Sequence, residues 1–351
     1  MSVSGGSRDL LPRDVVKLAF QFQEYDEIPF CFNASPDQQA GLTAHYGGEY
    51  WRDMVRPYIG RLTDLDAYLS LAGSTALPGG LEKDPFGCVW RRGSTMHLVQ
   101  APLVEPNLEG FRLPDVSRYI TDYLKPCWHR QREIQCTQSS LRVVTLQFGL
   151  FERAWSLRGF ENFCMDLFQE PHFCEELLGH ICEWMLEALD GLLSAPLDGV
   201  ILTDDYADQR GMIFGLDRFR RFFKPHWKRI FARIRKAGVY SILHVCGNAA
   251  PAVPDLIDCG LDCLESLQPE AMDIYKLKRE FGRDIRLWGG LGAQSTLLAS
   301  PEEVRREVRH LKKEMAQGGG YILAGAKGIL EDVPVANVIA YLEEAAGVGH
   351  L

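Results

Sequence analysis

Short, continuous apolar runs alternate along this chain with longer stretches whose apolar residues recur every three or four positions. The runs Ile28–Phe32, Leu141–Gln147, Asp198–Thr203, Tyr240–Cys246, Leu261–Leu264, Ile285–Trp288 and Tyr321–Leu323 read as strands. They are apolar almost throughout, as strands buried on both faces are, rather than alternating as half-exposed strands do. The stretches between them read as helices. Glu175–Leu193 carries Leu177, Leu178, Ile181, Met185, Leu189 and Leu192 at helical spacing. Ser300-Pro301-Glu302-Glu303 predicts a helix start, with a capping serine, a proline in the first turn and a glutamate three residues on. That helix runs through Val304, Val308, Leu311 and Met315 and is expected to stop at Gly318. Asp217 is expected to cap a helix beginning at Arg218, and Pro254–Cys259 reads as a short helix ended by Gly260.

From residue 198 onward, strand and helix alternate with short connections, which calls for a parallel sheet with right-handed crossovers. An open doubly wound sheet and a closed barrel both satisfy that pattern. No glycine-rich phosphate-binding signature follows a strand, so the nucleotide-binding versions have no support. Seven or eight strands in this length favour a single (β/α)8 barrel domain spanning residues 1–351, with residues 1–10 as a flexible tail. The irregular segment Gly41–Ser140 is expected to hold the second strand and long loops over one barrel end.

Composition and charge narrow the class. The 351 residues carry 38 basic and 47 acidic side chains, a formal net charge of −9, which disfavours a nucleic-acid partner. No apolar run approaches the roughly 20 residues that span a bilayer, and no signal peptide is legible, so a cytoplasmic protein without membrane contact is expected. The ten cysteines are scattered and read as core residues rather than a disulfide framework.

Catalytic groups of such barrels come from the C-terminal ends of strands. Two strand ends stand out. His244-Val245-Cys246 ends the fifth strand, and residues two apart on a strand face one way. An imidazole and a thiolate side by side make half a zinc site; they also read as a hydrogen-bonded histidine next to a buried thiol. The fourth strand ends in Thr203-Asp204-Asp205-Tyr206, followed by Gln209 and Arg210. Its acids could handle protons, bind a cation or a substrate amine, or simply cap a loop. Glu265, at the end of the sixth strand, is a candidate metal ligand, base or rim ion-pair partner. Asn33, Gln147 and Tyr206 are candidate substrate contacts, and Gln209 is placed with Asp204, Asp205 and Lys327 among the candidate catalytic residues. Lys327 could neutralise a carboxylate or phosphate at the mouth, or point to water.

These residues and others resemble the uroporphyrinogen decarboxylase superfamily, which includes zinc- and corrinoid-dependent methyltransferases. The likeness lies in Pro12-Arg13-Asp14, Asp26-Glu27-Ile28-Pro29, Asp84-Pro85-Phe86-Gly87 and Phe151-Glu152-Arg153. It continues in Asp204-Asp205 with Gln209-Arg210-Gly211, His244-x-Cys246-Gly247, Trp288-Gly289-Gly290 and Asp332-Val333-Pro334 with Asn337. The resemblance implies one (β/α)8 barrel. The decarboxylases carry an arginine-rich segment for the carboxylates of their tetrapyrrole; here Phe32-Asn33-Ala34-Ser35-Pro36 stands there. The methyltransferases bind zinc with His-x-Cys and a later cysteine. His244 and Cys246 match, and Lys327 stands at or next to the third position.

The activity this implies is metal-assisted methyl transfer between a small methylated compound and a corrinoid or thiol acceptor, with Zn(2+) and a corrinoid protein as cofactor and partner. The alternative is a metal-free decarboxylase or lyase acting on uroporphyrinogen or another carboxylated substrate. A non-catalytic ligand-binding barrel is the third reading. A homodimer is compatible with the sequence, and no feature requires one.

Overall fold

The computed structural model describes residues 10–61, 73–93, 96–121 and 139–348. Of the expected flexible tail, residues 1–9 lie outside the described residues. The principal sheet has eight parallel strands. They are β1 (Phe30–Cys31), β2 (Ile59–Arg61), β3 (Leu141–Leu146) and β4 (Gly199–Thr203). Then come β5 (Tyr240–His244), β6 (Cys263–Leu267), β7 (Arg286–Leu291) and β8 (Tyr321–Gly325). Their hydrogen-bonded order is β1-β8-β7-β6-β5-β4-β3-β2, the sequential winding of a (β/α)8 barrel. The two ends of that order approach through side chains: the rings of Phe30, on β1, and Tyr58, just before β2, lie 5.5 Å apart. The barrel is therefore nearly closed, as the strand count predicts.

The apolar runs became strands because both faces are covered. Val143, Val144, Val200, Leu202, Ile242 and Leu243 are fully buried between the barrel interior and the surrounding helices. The helix Pro171–Leu192 turns Leu177, Leu178, Ile181, Met185, Leu189 and Leu192 onto the sheet, all essentially without solvent contact. The capping box at Ser300 is present, with Glu303 closing it. Gly260 ends the helix Val253–Cys259 in a left-handed conformation, as its sequence predicts.

Several boundaries differ from expectation, each for a local reason. β5 stops at His244, because the chain turns there and the Cys246 N–H leaves the ladder for the Asp205 carboxylate, 2.8 Å away. β6 begins at Cys263 and runs past Glu265, which therefore lies inside the strand, opposite His244. The helix after residue 215 starts at Leu216 behind Gly215, whose φ of 80° no side chain favours, so Asp217 sits in the first turn and caps nothing. That helix passes through a wide π-helical turn, Phe219–Phe223, before continuing as Lys224–Lys236. The helix from Pro301 ends at Glu314, four residues short of Gly318. The irregular segment holds β2, as expected, together with an unforeseen antiparallel sheet of Thr75–Leu77, Leu81–Lys83, Val89–Arg91 and His97–Gln100. Short strands that are exposed on one side leave no continuous apolar run to read.

The cysteines of the described residues are free thiols. Among those residues no helix is long and apolar enough to cross a membrane.

Candidate active site

A cavity of about 290 Å3 opens at the C-terminal ends of the strands. Its wall takes residues from every barrel strand or the turn after it, so the site exists only once the barrel has formed.

Three donor groups meet here, Asp205 and His244 in the cavity wall and Cys246 beside them. The ligand atoms of Asp205, His244 and Cys246 all lie within 4.8 Å of one another. His244 Nε2 stands 3.4 Å from Cys246 Sγ, and the Cys246 amide donates to Asp205 Oδ1. Burial pushes the Cys246 thiol up to about 12, and the nearby Asp205 carboxylate adds to that. A divalent cation reverses both effects, because it stabilises the thiolate and neutralises the carboxylate. The donor chemistry of nitrogen, sulfur and oxygen fits zinc. Behind the histidine, Glu265 Oε2 lies 3.8 Å from Nδ1, while Oε1 is held by Arg61 Nη2 at 3.1 Å. At 3.8 Å the carboxylate is near the ring without a hydrogen bond to it, and Glu265 Oε2 has no hydrogen-bond partner among the described residues, so its effect on His244 is that of a nearby negative charge. Glu265→Gln is expected to lower zinc affinity about 10–100-fold with the fold retained. Competition against a chromophoric chelator measures this.

The adjacent acids have separated roles. Asp204 has no solvent exposure and faces away from the cavity. Its oxygens accept the amides of Phe151 (3.2 Å) and Glu152 (2.8 Å) at the start of the helix Leu150–Arg158. Those are among the amides a helix start leaves unpaired, so Asp204 caps a helix that follows a different strand. Burial raises its carboxyl to about 7, against the opposing pull of these amides. Gly149 makes the approach possible, since a Cβ there would stand 2.7 Å from that of Asp204. This geometry speaks for a structural role of Asp204, not the catalytic one expected of it.

Other expected residues divide in the same way. Asn33 and Gln147 line the cavity, and Gln147 Oε1 makes no hydrogen bond among the described residues. Lys327 lines it from the far side, after β8, with no ion pair among the described residues. Tyr206 does not reach it: the side chain is fully buried among Phe214 and Phe219. Gln209 is also outside, bonded to Gln294 at an exposed position. Both belong to the small hairpin after β4, which turns its residues away from the mouth.

Arg61, Glu152 and Ser266 are among the cavity residues that had no sequence signal as site residues. Arg61 ends a strand of three residues in the irregular segment. Glu152 opens a helix, beyond a strand end, within the Phe151-Glu152-Arg153 triplet. It accepts the Thr203 hydroxyl at 3.1 Å, and burial with the charges of Asp205 and Asp204 pushes its carboxyl well above the usual range. Ser266 faces the cavity because of a strand irregularity taken up below.

The model of the family described as uroporphyrinogen decarboxylase (URO-D) matches residues 143–347. The chain belongs to the URO-D family. A methylcobamide:CoM methyltransferase, MtaA, of Methanosarcina barkeri is 26% identical over 167 residues, covering 47% of this chain and 46% of that protein. A uroporphyrinogen decarboxylase of Thermus thermophilus is 29% identical over 169 residues, 47% of each. The chain spans about half the length of the curated relatives it matches. A solved methyltransferase structure from Methanosarcina mazei covers 96% of this chain and 98% of its own, with a TM-score of 0.70 at 20% identity, which bears on the fold. URO-D relatives of both activities are similar to nearly the same degree, so the choice between them falls to the site.

Proposed function

We propose that this URO-D family protein catalyses metal-assisted methyl transfer, with a corrinoid protein as one methyl partner and a small thiol as the other. The observation that carries this reading is the Asp205–His244–Cys246 donor set at the barrel mouth. These three residues would hold zinc. When bound, zinc supplies Lewis acidity, which lets a thiol lose its proton near neutral pH. Asp205, from the end of β4, would supply the third donor in place of the later cysteine whose position Lys327 occupies, so the departure at Lys327 leaves a three-donor set intact.

The remaining groups position the substrate. β8 and β4 lie across the barrel from each other in the strand order. Lys327, after β8, therefore stands across the mouth from Asp205 and holds an anionic end of the substrate there. Gln147 and Asn33 offer hydrogen bonds between the two ends. Glu265, tied to Arg61, sets a negative charge 3.8 Å behind His244 Nδ1, which favours a cation at the other side of the ring. The methyl group passes as a cation equivalent from the corrinoid cobalt to the thiolate sulfur, and the cobalt keeps the bonding pair.

The decarboxylase reading is supported by the buried Glu152 carboxyl beside Asp205, which burial and the neighbouring carboxylates push well above the usual range. It is opposed by the lining: Arg61 and Lys327 are its cations, and Arg61 is already paired. A tetrapyrrole with eight carboxylates needs more.

Metal analysis of purified protein and an anaerobic assay with methylcobalamin and coenzyme M test the proposal together. About one zinc per chain and thiol-dependent formation of cob(I)alamin are expected. Metal-free protein with full transfer activity would refute the role of the metal, and turnover of uroporphyrinogen would favour the alternative.

A further inference from the structure

β6 contains a backbone irregularity that nothing in its apolar sequence requires. The pairing of β6 with β7 shifts register between Glu265 and Leu267, so Ser266 is an extra residue in the strand. Ser266 also has a φ of 74°, in the left-handed region, although it is not glycine and is 4% exposed. Neighbouring residues of a regular strand face opposite sides, yet Glu265 and Ser266 both line the cavity. The bulge therefore turns an outward-facing position inward. β7 is shaped to receive it: Gly289, with a φ of 127°, comes so close that a Cβ there would stand 2.7 Å from the Leu267 nitrogen. Such strain persists only where its surroundings over-determine it, and it gathers at functional sites.

What the distortion achieves is visible in the contacts of the hydroxyl. Ser266 Oγ donates to the Ala326 carbonyl at 2.8 Å, and Cys246 Sγ lies 3.9 Å from Ser266 Oγ. Cys246 follows β5, whereas Ala326 follows β8 and directly precedes Lys327. One buried hydroxyl thus links the donor set to the loop that carries the lysine, spanning β7, which lies between β6 and β8.

We propose that Ser266 is a positioning residue that holds the Ala326–Lys327 loop at a fixed reach from Cys246. Through it, the anchoring end of the cavity and the reacting end are kept in register for one length of substrate. The role in substrate handling rests on the methyl-transfer reading; the tether itself does not.

Two variants separate the hydroxyl from the strain. Ser266→Ala keeps a Cβ at the left-handed position and loses the hydrogen bond. Ser266→Gly loses the bond and relieves the strain, so its melting temperature is expected above that of Ser266→Ala. Hydrogen exchange of the backbone amides in residues 325–329 is expected to quicken about tenfold in both variants, which is the loss of about one hydrogen bond. In the methylcobalamin assay, KM for coenzyme M is expected to rise about tenfold in both variants, with kcat within about twofold and zinc content unchanged. If exchange at residues 325–329 stays at the wild-type rate in both, the tether is refuted. If exchange quickens while KM stays constant, the tether stands and its part in substrate positioning is refuted. A merely structural role would let Ser266→Gly, the more stable variant, regain wild-type KM. Should wild-type protein lack zinc and transfer activity, the functional reading falls, and the exchange measurement decides the tether alone.

Discussion

Cys246→Ala is expected to remove bound zinc and lower methyl transfer by about a thousandfold, with the fold retained. The size follows from what is lost. A Lewis acid at the reacting centre is worth several kcal/mol, and each 1.36 kcal/mol is tenfold in rate. Loss of a direct ligand also exceeds the roughly 10–100-fold effect of an outer partner such as Glu265. The metal-free fold should tolerate the change, because Cys246 stands in a turn after β5 and its thiol touches side chains of the site itself, His244 at 3.4 Å and Ser266 at 3.9 Å. Zinc content by elemental analysis, transfer rate, and melting temperature with and without chelator check the outcome. Chelator should lower the melting temperature of the wild type and leave that of the variant unchanged, since only a protein that binds the ion is stabilised by it. Asp205→Asn is the companion test. It keeps an oxygen for the Cys246 amide and removes the charge, so a lower zinc affinity would reflect coordination rather than a broken turn.

Gly247→Ala should be the most damaging small change next to the site, destabilising the protein by about 2–5 kcal/mol. Gly247 has a φ of 85°, which costs a residue with a Cβ about 1–2 kcal/mol. The added Cβ would also stand 2.7 Å from the carbonyl oxygens of Ala207 and Asp208. Those are backbone atoms of the hairpin after β4, and they cannot swing aside as a side chain would. Overpacking of that kind costs about 1–3 kcal/mol more. The movement falls on Cys246 and Asp205, so zinc affinity should drop as well. Gly238→Ala provides the control. Its φ is 72°, but no atom lies within 4 Å of the added Cβ, so only the backbone cost applies. Denaturant midpoints of the two variants should differ by the packing contribution; equal midpoints would mean that the hairpin yields.

How much of the site was legible follows from the periodicity of its elements. His244 and Cys246 could be placed side by side, because the end of an apolar run marks a strand end and alternation sets the facing. Asp204 and Asp205 could be noticed but not separated. Adjacent residues face opposite ways, and the choice was made by the helix Leu150–Arg158, whose free amides captured Asp204 and left Asp205 to the mouth. Glu265 could be named, but it was expected at the end of its strand, which runs on to Leu267. Arg61 and Glu152 were hidden, one in a three-residue strand without an apolar run, the other at a helix start.

By itself, then, the sequence determined the strand and helix alternation, the barrel it forms, and the residue types at the strand ends. Those properties rest on local patterns of burial, which repeat every two or every three to four residues. Only the tertiary structure decided which strand-end groups meet. It brought Asp205 to His244 and Cys246, set Lys327 across the mouth from Asp205, turned Tyr206 and Gln209 away, and bent β6 so that Ser266 faces inward. These are contacts between elements distant in the chain, fixed by hydrogen bonds and close approaches that no local pattern encodes.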